Sequence, residues 1–454
     1  MLFRISQAFV DPVTVIGEGW LLDDPEKKRI KITVKDRERT AHYICFGTTG
    51  SGKTRHIENM VEQDIRKGYS VVVIDPKGDI ELFEKIAQVA LEEGREEDLM
   101  LINPIFPELS AHIDPLRYFA TPEELAQHMV AGVSVGKEPY FFNVAYDLSL
   151  TIAHALVTIN RYKGVHPSFN FTEASKFMTQ DGLKVLQRQL SAIHDGHFAE
   201  DAVTILQRIN RTLENDRDYF NKVSNSLAVA VGELTSGYMG KIIGKATTNR
   251  FLERLENDKP VIVVVQCGSI LMRRAAYTAG KVFLSTIQAF IGRRYASGKK
   301  VDPMLCIHMD EMPKVLYGGI EDLFTMARGA NVALHGYLQE MAHLAAEIGE
   351  DKAKVILGNC NIKQFMLVAE RNTAEYASEL FGIKRVYSPV LSGGAGQGSV
   401  SMREMEEEVI RPEKMLDLSP RRFVLRVYSK KYEGMTSDVS RRWLKVEYPD
   451  VTVK

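Results

Sequence analysis

Cysteine is scarce in this chain. There are four in 454 residues, Cys45, Cys267, Cys306 and Cys360, far apart and each in or beside an apolar run. With no CxxC pair and no Cys/His cluster, the pattern speaks against a disulfide framework or a structural zinc site and for buried free thiols in a reducing compartment. Long hydrophobic runs are missing too. No apolar run reaches the ~18 residues a bilayer-spanning helix needs, and the best, Val261–Met272, is too short. The opening Met1-Leu-Phe-Arg-Ile-Ser6 lacks a secretory-signal pattern. Charge of one sign is absent as well: 58 Lys and Arg against 59 Asp and Glu leave a net −1. That gives no global attraction to a polyanion, so any nucleic-acid-binding surface must be local. No zinc-finger pattern, RNA-binding aromatic motif or internal repeat occurs, which argues against sequence-specific nucleic-acid recognition.

What is present is an ordinary globular composition, 45% hydrophobic and 26% charged, in a chain long enough for two or three domains. Its most informative segment is Tyr43-Ile-Cys-Phe-Gly-Thr-Thr-Gly-Ser-Gly-Lys-Thr54. An apolar strand runs into Gly47 and a helical pattern runs out of Thr54, the context of a phosphate-binding loop. Glycines let the backbone curl so that its N–H groups face phosphate oxygens, and the helix N-terminus adds partial positive charge. The expected nucleotide-binding set is Gly47, Thr48, Thr49, Gly50, Ser51, Gly52, Lys53, Thr54 and Arg55. Lys53 reaches the β- and γ-phosphates and the Thr54 hydroxyl binds Mg²⁺.

The rest of the chain divides by pattern. From His42 to about Ile102, strands (Ser70–Ile74, Leu99–Ile102) alternate with helices, as in βαβ units. From about Thr121 to Gly244 strand-like runs vanish and helical stretches follow one another, the first opening on Thr121-Pro-Glu-Glu, a cap, a proline and two acids. No further apolar strand appears until Pro260–Gln266, Met304–Met309, Val332–Tyr337 and Ile362–Val368. The expected organisation is a nucleotide-binding domain in two parts, residues 1–115 and 249–454, with an all-α domain, 116–248, inserted between them. The fold class is α/β with a mostly parallel central sheet. Ser392-Gly-Gly-Ala-Gly-Gln-Gly-Ser399 reads as a flexible loop or linker, Phe423–Tyr428 as an edge strand followed by a polar tail.

Hydrolysis requires a carboxylate on the Mg²⁺ side and a base for water. Asp310 and Glu311 end the apolar run Met304-Leu-Cys-Ile-His-Met and suit those two roles. Asp75, at the end of Val71-Val-Val-Ile74, has two readings: it shapes the mouth of the site, or Asp75-Pro-Lys-Gly78 is simply a turn. Lys77 is a candidate for phosphate or for a neighbouring subunit. Gln339 ends the strand after the Asp-Glu strand, well placed to sense the γ-phosphate through water. Arg328 follows a helical stretch. Its guanidinium suits an arginine finger, and a surface charge compensating a helix dipole explains it equally well from spacing.

Together, Gly47–Arg55, Gln63-Asp-Ile-Arg-Lys-Gly68, Val73-Ile-Asp-Pro-Lys-Gly-Asp79, Leu234–Gly240, Met326–Val332 and Thr373–Leu380 resemble the type IV coupling proteins of conjugation, the VirD4/TraG/TraD ATPases. The resemblance spans roughly Gly17 to Val427. It implies a RecA-like, homohexameric ring motor with an inserted all-α domain, using ATP and Mg²⁺ to move single-stranded DNA and its attached relaxase to membrane-embedded secretion-channel components. By position, Lys53, Thr54, Asp310 and Glu311 match the phosphate, Mg²⁺ and acidic residues. Arg328 matches the trans-acting arginine and Gln339 the sensing glutamine. Most members carry membrane helices before the motor, whereas here the loop begins after 46 residues. The expectation is therefore either a soluble, cytoplasmic member held at the inner membrane by a partner, or a truncated form. An engine that loads protein effectors without acting on DNA is the alternative function. DNA-contact candidates are Arg273-Arg274, Arg293-Arg294, Lys299-Lys300, Arg421-Arg422, Lys430-Lys431 and Arg441-Arg442, each weighed against a solvated surface. Tyr140, Phe141 and Phe142 read as core rather than as stacking platforms.

Overall fold

The computed structural model describes residues 11–133, 140–194, 196–394 and 397–451. Its strands are β1 (Val13–Leu21), β2 (Ile30–Lys35), β3 (Tyr43–Phe46), β4 (Ser70–Asp75), β5 (Leu99–Ile102), β6 (Ile262–Gln266), β7 (Leu305–Met309), β8 (Val332–Leu338), β9 (Ile362–Phe365), β10 (Ile383–Gly394), β11 (Gln397–Glu408), β12 (Arg422–Val427) and β13 (Lys430–Thr436). Eleven of them form one sheet in the order β2-β1-β13-β12-β9-β3-β8-β7-β4-β6-β5. From β9 to β5 every pairing is parallel. From β9 to β2 every pairing is antiparallel.

The parallel strands are short and buried on both faces, and their side chains alternate between two cores. Tyr43, Cys45, Val71, Val73, Ile262 and Val264 pack against Ile57, Met60, Val61 and Ile65 of the helix Lys53–Arg66 and Leu82, Phe83 and Ile86 of the helix Ile80–Glu92. Ile44, Phe46, Val72, Ile74, Val263, Val265, Ile307 and Leu334 face the opposite core, with the helix Ser269–Ala296. Full burial of such a side chain contributes about 1.5–3 kcal/mol, so a charged residue at Val72 or Val263 would unseat the sheet.

Between β5 and β6 run helices at Pro122–Val130, Tyr140–Tyr162, Phe171–Ser175, Gln180–Leu190, His197–Leu213 and Arg217–Thr235. Side chains of Asn170, Thr179 and Asp216 cap three of them. Thr121 holds the cap position before Pro122, but its side chain makes no capping bond. Among the described residues one helix, Tyr140–Tyr162, is long and apolar enough to cross a membrane by length and composition. It has no unbroken apolar run, because Asn143, Asp147 and Ser149 interrupt it, and its apolar residues are largely buried in the bundle. The helix is the centre of the bundle, burying Leu148, Ile152, Leu156 and Ile159.

Three expectations need correction. Tyr140 and Phe141 are 49% and 45% exposed, because they begin the helix beyond its packed portion; Phe142 is partly buried. β12 is no edge strand but lies inside the sheet between β9 and β13, the edge being taken by β2. Of the two readings of the glycine-rich segment, loop or linker, the linker is excluded: Ser392–Gly394 and Gln397–Ser399 pair at the end of the β10–β11 hairpin, residues 395 and 396 lying outside the described residues. The polar tail is strapped to the helix Ile80–Glu92. There Gln88 bonds the Arg441 carbonyl and the Trp443 amide, Glu84 accepts from the Val446 amide, and Tyr448 stacks on Phe106.

Candidate active site

The carboxyl ends of β3, β8, β7 and β4, neighbours in that order, deliver four groups to one edge of the sheet. β3 ends at Phe46 opposite Leu338 of β8, and Met309 of β7 lies opposite Gly336 of β8 and Ile74 of β4. The next residues are therefore Gly47, Gln339, Asp310-Glu311 and Asp75. With strands about 4.8 Å apart, the loop and the Asp-Glu pair sit roughly 10 Å from each other, with Gln339 between them.

The loop is held at both sides. The Gly47 amide donates to the Leu338 carbonyl at 3.0 Å and the Thr48 amide to Leu367 at 2.7 Å. A side chain on Gly47 would bring a Cβ to 2.6 Å from Ser51 Oγ. Gly52 holds φ +103, left-handed backbone that glycine adopts without strain, and hands over to the helix at Lys53. Ser51 Oγ is buried with no hydrogen-bond partner among the described residues. Lys53 Nζ curls back to the Gly47 carbonyl and to the Thr48 carbonyl, the latter at 3.1 Å. Burial lowers its pKa, opposed by Cys45, Asp310 and Glu311. Thr54 stands in the first helical turn, and Arg55 is paired with Glu58 at 2.7 Å.

The carboxylates are not equivalent. Asp310 is buried, which raises its pKa, with Glu311 adding to the shift and Lys77 opposing it. Glu311 has φ 45, a strained conformation for a side-chain-bearing residue. Its burial pushes its pKa up, but the hydrogen bonds from Lys77 and Gln339 outweigh that and hold it low. Lys77 Nζ lies 2.5 Å from Glu311 Oε1, and Gln339 Nε2 donates to the same oxygen at 3.1 Å. Asp75 accepts from the Lys77 amide at 3.0 Å and the Asp79 amide at 2.5 Å. It orders the Pro76–Gly78 turn from the carboxyl end of β4, the strand next to the one that ends before Asp310. Burial, then the Asp310 charge, pushes it up to about 6.

Arg328 is not in this row. It lies exposed in the turn Ala327–Ala330 before β8, at the opposite edge of the sheet. The seven residues of β8, at about 3.3 Å each, put it roughly 20 Å from Gln339. Of the basic doublets, Arg293 pairs with Glu124 and Glu256, and Arg294 with Asp258, so that doublet is engaged internally. Arg274 pairs with Glu233, Arg421 with Asp438 and Arg442 with Glu81.

Sequence reasoning missed the support beneath the row. Arg39, fully buried, donates to both Asp64 oxygens at 2.6 and 2.7 Å and lies 3.1 Å from His335 Nε2. His308 Nε2 is 3.0 Å from Asp64 Oδ2. One guanidinium thus ties together the helix after the loop (Asp64), β7 (His308) and β8 (His335). Burial would raise the Asp64 pKa, but Arg39 and His308 hold it far below the usual carboxylate range. The only sequence signal was an aspartate on the apolar face of that helix, between Val61 and Ile65.

A parallel sheet carrying a glycine loop, an Asp-Glu pair and a glutamine at one edge defines a RecA-like P-loop protein. A model described as the type IV secretion-system coupling protein DNA-binding domain matches residues 29–225, and one described as the TraM recognition site of TraD and TraG matches 304–420. The chain belongs to the type IV coupling protein family. It is 39% identical to the type 4 coupling protein DotL of Legionella pneumophila over 62 residues, a match covering 14% of this chain and only 8% of that protein. Among solved structures it resembles the bacterial conjugative coupling protein TrwBΔN70, with TM-score 0.67, 14% identity and coverage of 92% of this chain and 90% of that one. VirB4 of Thermoanaerobacter pseudethanolicus is more distant, with TM-score 0.53, 12% identity and 94% and 96% coverage. At these identities the structural likenesses establish the fold.

Proposed function

We propose that this chain is the ATP-hydrolysing motor of a type IV secretion or conjugation system. It binds ATP with Mg²⁺, works as a homohexameric ring, and moves single-stranded DNA with its attached relaxase into a membrane-embedded channel from the cytoplasmic side. The observation that carries the reading is the row at the sheet edge, with Glu311 and Gln339 hydrogen-bonded across β7 and β8 beside the loop. TrwB, of the same fold, has been seen with a non-hydrolysable ATP analogue and with ADP and Mg²⁺.

The residues suit those ligands. The buried, unpartnered Ser51 hydroxyl and the Gly47 cradle face where phosphates lie. The Thr54 hydroxyl and the buried Asp310 carboxylate are the hard oxygen donors Mg²⁺ prefers, and Mg²⁺ typically uses only one or two protein carboxylates. The metal, when bound, neutralises charge on the phosphates. Lys53 exchanges its two loop carbonyls for phosphate oxygens. Glu311, kept ionised by Lys77 and Gln339, takes the proton of the attacking water, and Gln339 holds Glu311 in place. Arg328, at the far edge of the sheet, acts on the nucleotide of a neighbouring subunit. Residues 116–248 form the inserted helical domain and 1–115 with 249–454 the motor.

The test is ATP turnover against protein concentration, with and without single-stranded DNA. Turnover should rise with assembly, and DNA should stimulate it at low salt, with the stimulation falling steeply as salt increases. Assembled hexamers indifferent to DNA would refute the DNA role and leave a motor for protein substrates.

A further inference from the structure

A cleft of about 460 Å³, a volume usual for small-molecule sites, opens where the inserted bundle meets the motor. Its walls are the helix Pro122–Val130, the second half of the helix Ser269–Ala296, and the segment from Tyr317 to Met326 that leads into the Arg328 turn. No residue of the sheet-edge row lines it. We propose that this cleft binds a small aromatic amine: His128 accepts a hydrogen bond from it, Asp322 and Glu123 meet its positive charge, and Gly292 leaves room for its ring.

The hydrogen bonds of His128 fix what the ligand must supply. The Ser285 hydroxyl donates its one proton to the Val282 carbonyl at 2.7 Å. In the 2.9 Å contact between Ser285 Oγ and His128 Nδ1 the imidazole is therefore the donor, and Nε2 of the neutral ring carries a lone pair. Burial keeps the ring neutral, pushing its pKa down to about 3. His128 is 1% exposed and lines the cleft, and its Nε2 has no partner among the described residues. A buried acceptor without a donor is costly, and an N–H arriving through the cleft satisfies it.

Charge and shape narrow the class. Tyr317 donates to Gln288 Oε1, and Gln288 Nε2 donates to the Gly319 carbonyl at 3.2 Å, so those groups are taken. The lining carries three carboxylates, Glu123, Glu124 and Asp322, against one guanidinium, Arg293. Arg293 is already shared between Glu124 and Glu256. Glu123 has only His154 beside it, at 3.4 Å, and Asp322 is exposed, which leaves the rim complementary to a cation. Ala289, Tyr317 and Met326 supply apolar surface, and a methionine sulfur packs well on an aromatic ring. Gly292 lies inside a helix, where glycine is destabilising relative to alanine. A Cβ there would meet nothing within 4 Å, whereas one on Gly280 of the same helix would stand 2.9 Å from Val315. Packing explains Gly280; Gly292 keeps the wall open.

The experiment titrates the full chain with tryptamine, observed by ligand NMR. The dissociation constant should be about 1 mM or tighter, as suits a ligand of that size. Tryptophol, which lacks the charge, should bind about two- to fivefold weaker, and 1-methyltryptamine, which lacks the ring N–H, about fivefold weaker or more. Gly292→Leu should weaken tryptamine about tenfold or more without lowering the unfolding temperature. Asp322→Asn, on an exposed side chain, should weaken tryptamine about two- to fivefold and leave tryptophol unchanged, and it carries the test if Gly292→Leu fails to fold. No saturable binding to the parent, or full affinity in a folded Gly292→Leu, would overturn the site. Tryptophol binding as tightly as tryptamine would overturn the cationic class, and 1-methyltryptamine doing so would overturn the role of His128. Loss of self-association in Gly292→Leu, with no tryptamine binding to the parent, would assign the cleft to a second copy of the chain instead.

Discussion

Glu311→Gln tests the chemistry at the sheet edge most cleanly, because the structure confines the change to one charge. Glu311 accepts from Lys77 at 2.5 Å and from Gln339 at 3.1 Å, and a glutamine carbonyl there accepts both bonds. The ion pair with Lys77 is lost, but the Lys77 side chain is 52% exposed. Solvent screening limits the pair to about 1 kcal/mol at most, a shift of no more than about 2–4 °C in thermal unfolding. The loss in turnover is far larger. A positioned base contributes about 10²–10⁴ in rate, or roughly 3–5.5 kcal/mol of barrier. Removing one negative charge near the phosphates leaves ATP binding intact or tighter. The assays are initial rates of phosphate release at saturating ATP and equilibrium binding of a fluorescent ATP analogue, with thermal unfolding as the control. Turnover within tenfold of the parent, in a variant that unfolds at the parent's temperature, would refute Glu311 as the base. A parallel loss of ATP binding would make it a ligand-binding residue instead.

Two further expectations concern other parts of the molecule. Arg328→Ala should lower turnover by about 10³–10⁵, the range a trans-acting finger supplies, without weakening ATP binding. Mixing it with Lys53→Ala subunits should restore part of the rate, and no recovery at any ratio would rule out action across subunits. Stability should also fall in acid through three buried histidines. Burial pushes His42 down to about 4 and His56 and His128 to about 3. Their folded pKa values lie below the ~6.5 of an unfolded histidine, so the unfolded chain takes up the proton first. Stability is full above pH ~6.5 and declines as pH falls toward 4, by up to about 1.4 kcal/mol per pH unit for each histidine. Denaturant unfolding at pH 7, 6 and 5 measures the slope. His128→Gln, which keeps a partner for Ser285, should flatten it, and an unaltered slope would show that His128 does not carry its share.

The segments of the site were legible because each is written locally. Glycine spacing marks Gly47–Gly52, and a run of apolar residues ending in two acids marks Asp310 and Glu311. Their order across the sheet was not. β8 lies between β3 and β7 although it follows both in sequence, and nothing local says so. The same limit applies to β12, whose short apolar run reads identically for an edge or an interior strand until β13 and β9 are paired to it. Glycines at Gly393, Gly394 and Gly398 suggested a linker because they weaken strand propensity, yet the twelve-residue register of the hairpin overrides them. The Lys77–Glu311 pair joins residues 234 positions apart. Arg421 reaches the loop through a backbone conformation, φ +69 with its amide on the Ser51 carbonyl, and a backbone conformation leaves little trace in residue type.

Arg39 has a consequence for how this sequence tolerates change. A buried guanidinium that loses one partner leaves an uncompensated charge, at a cost of about 3–5 kcal/mol, whereas an apolar replacement of the whole cluster avoids that charge. Arg39, Asp64, His308 and His335 are therefore expected to be strongly epistatic. Single substitutions should be severe, and combined apolar ones milder than their sum, which a double-mutant cycle on Arg39→Met and Asp64→Leu would measure. Strict additivity would show Arg39 and Asp64 to be independent. With coupling of that kind, the helix after the loop, β7 and β8 share a foundation that changes little one residue at a time, while exposed positions away from it remain free to diversify.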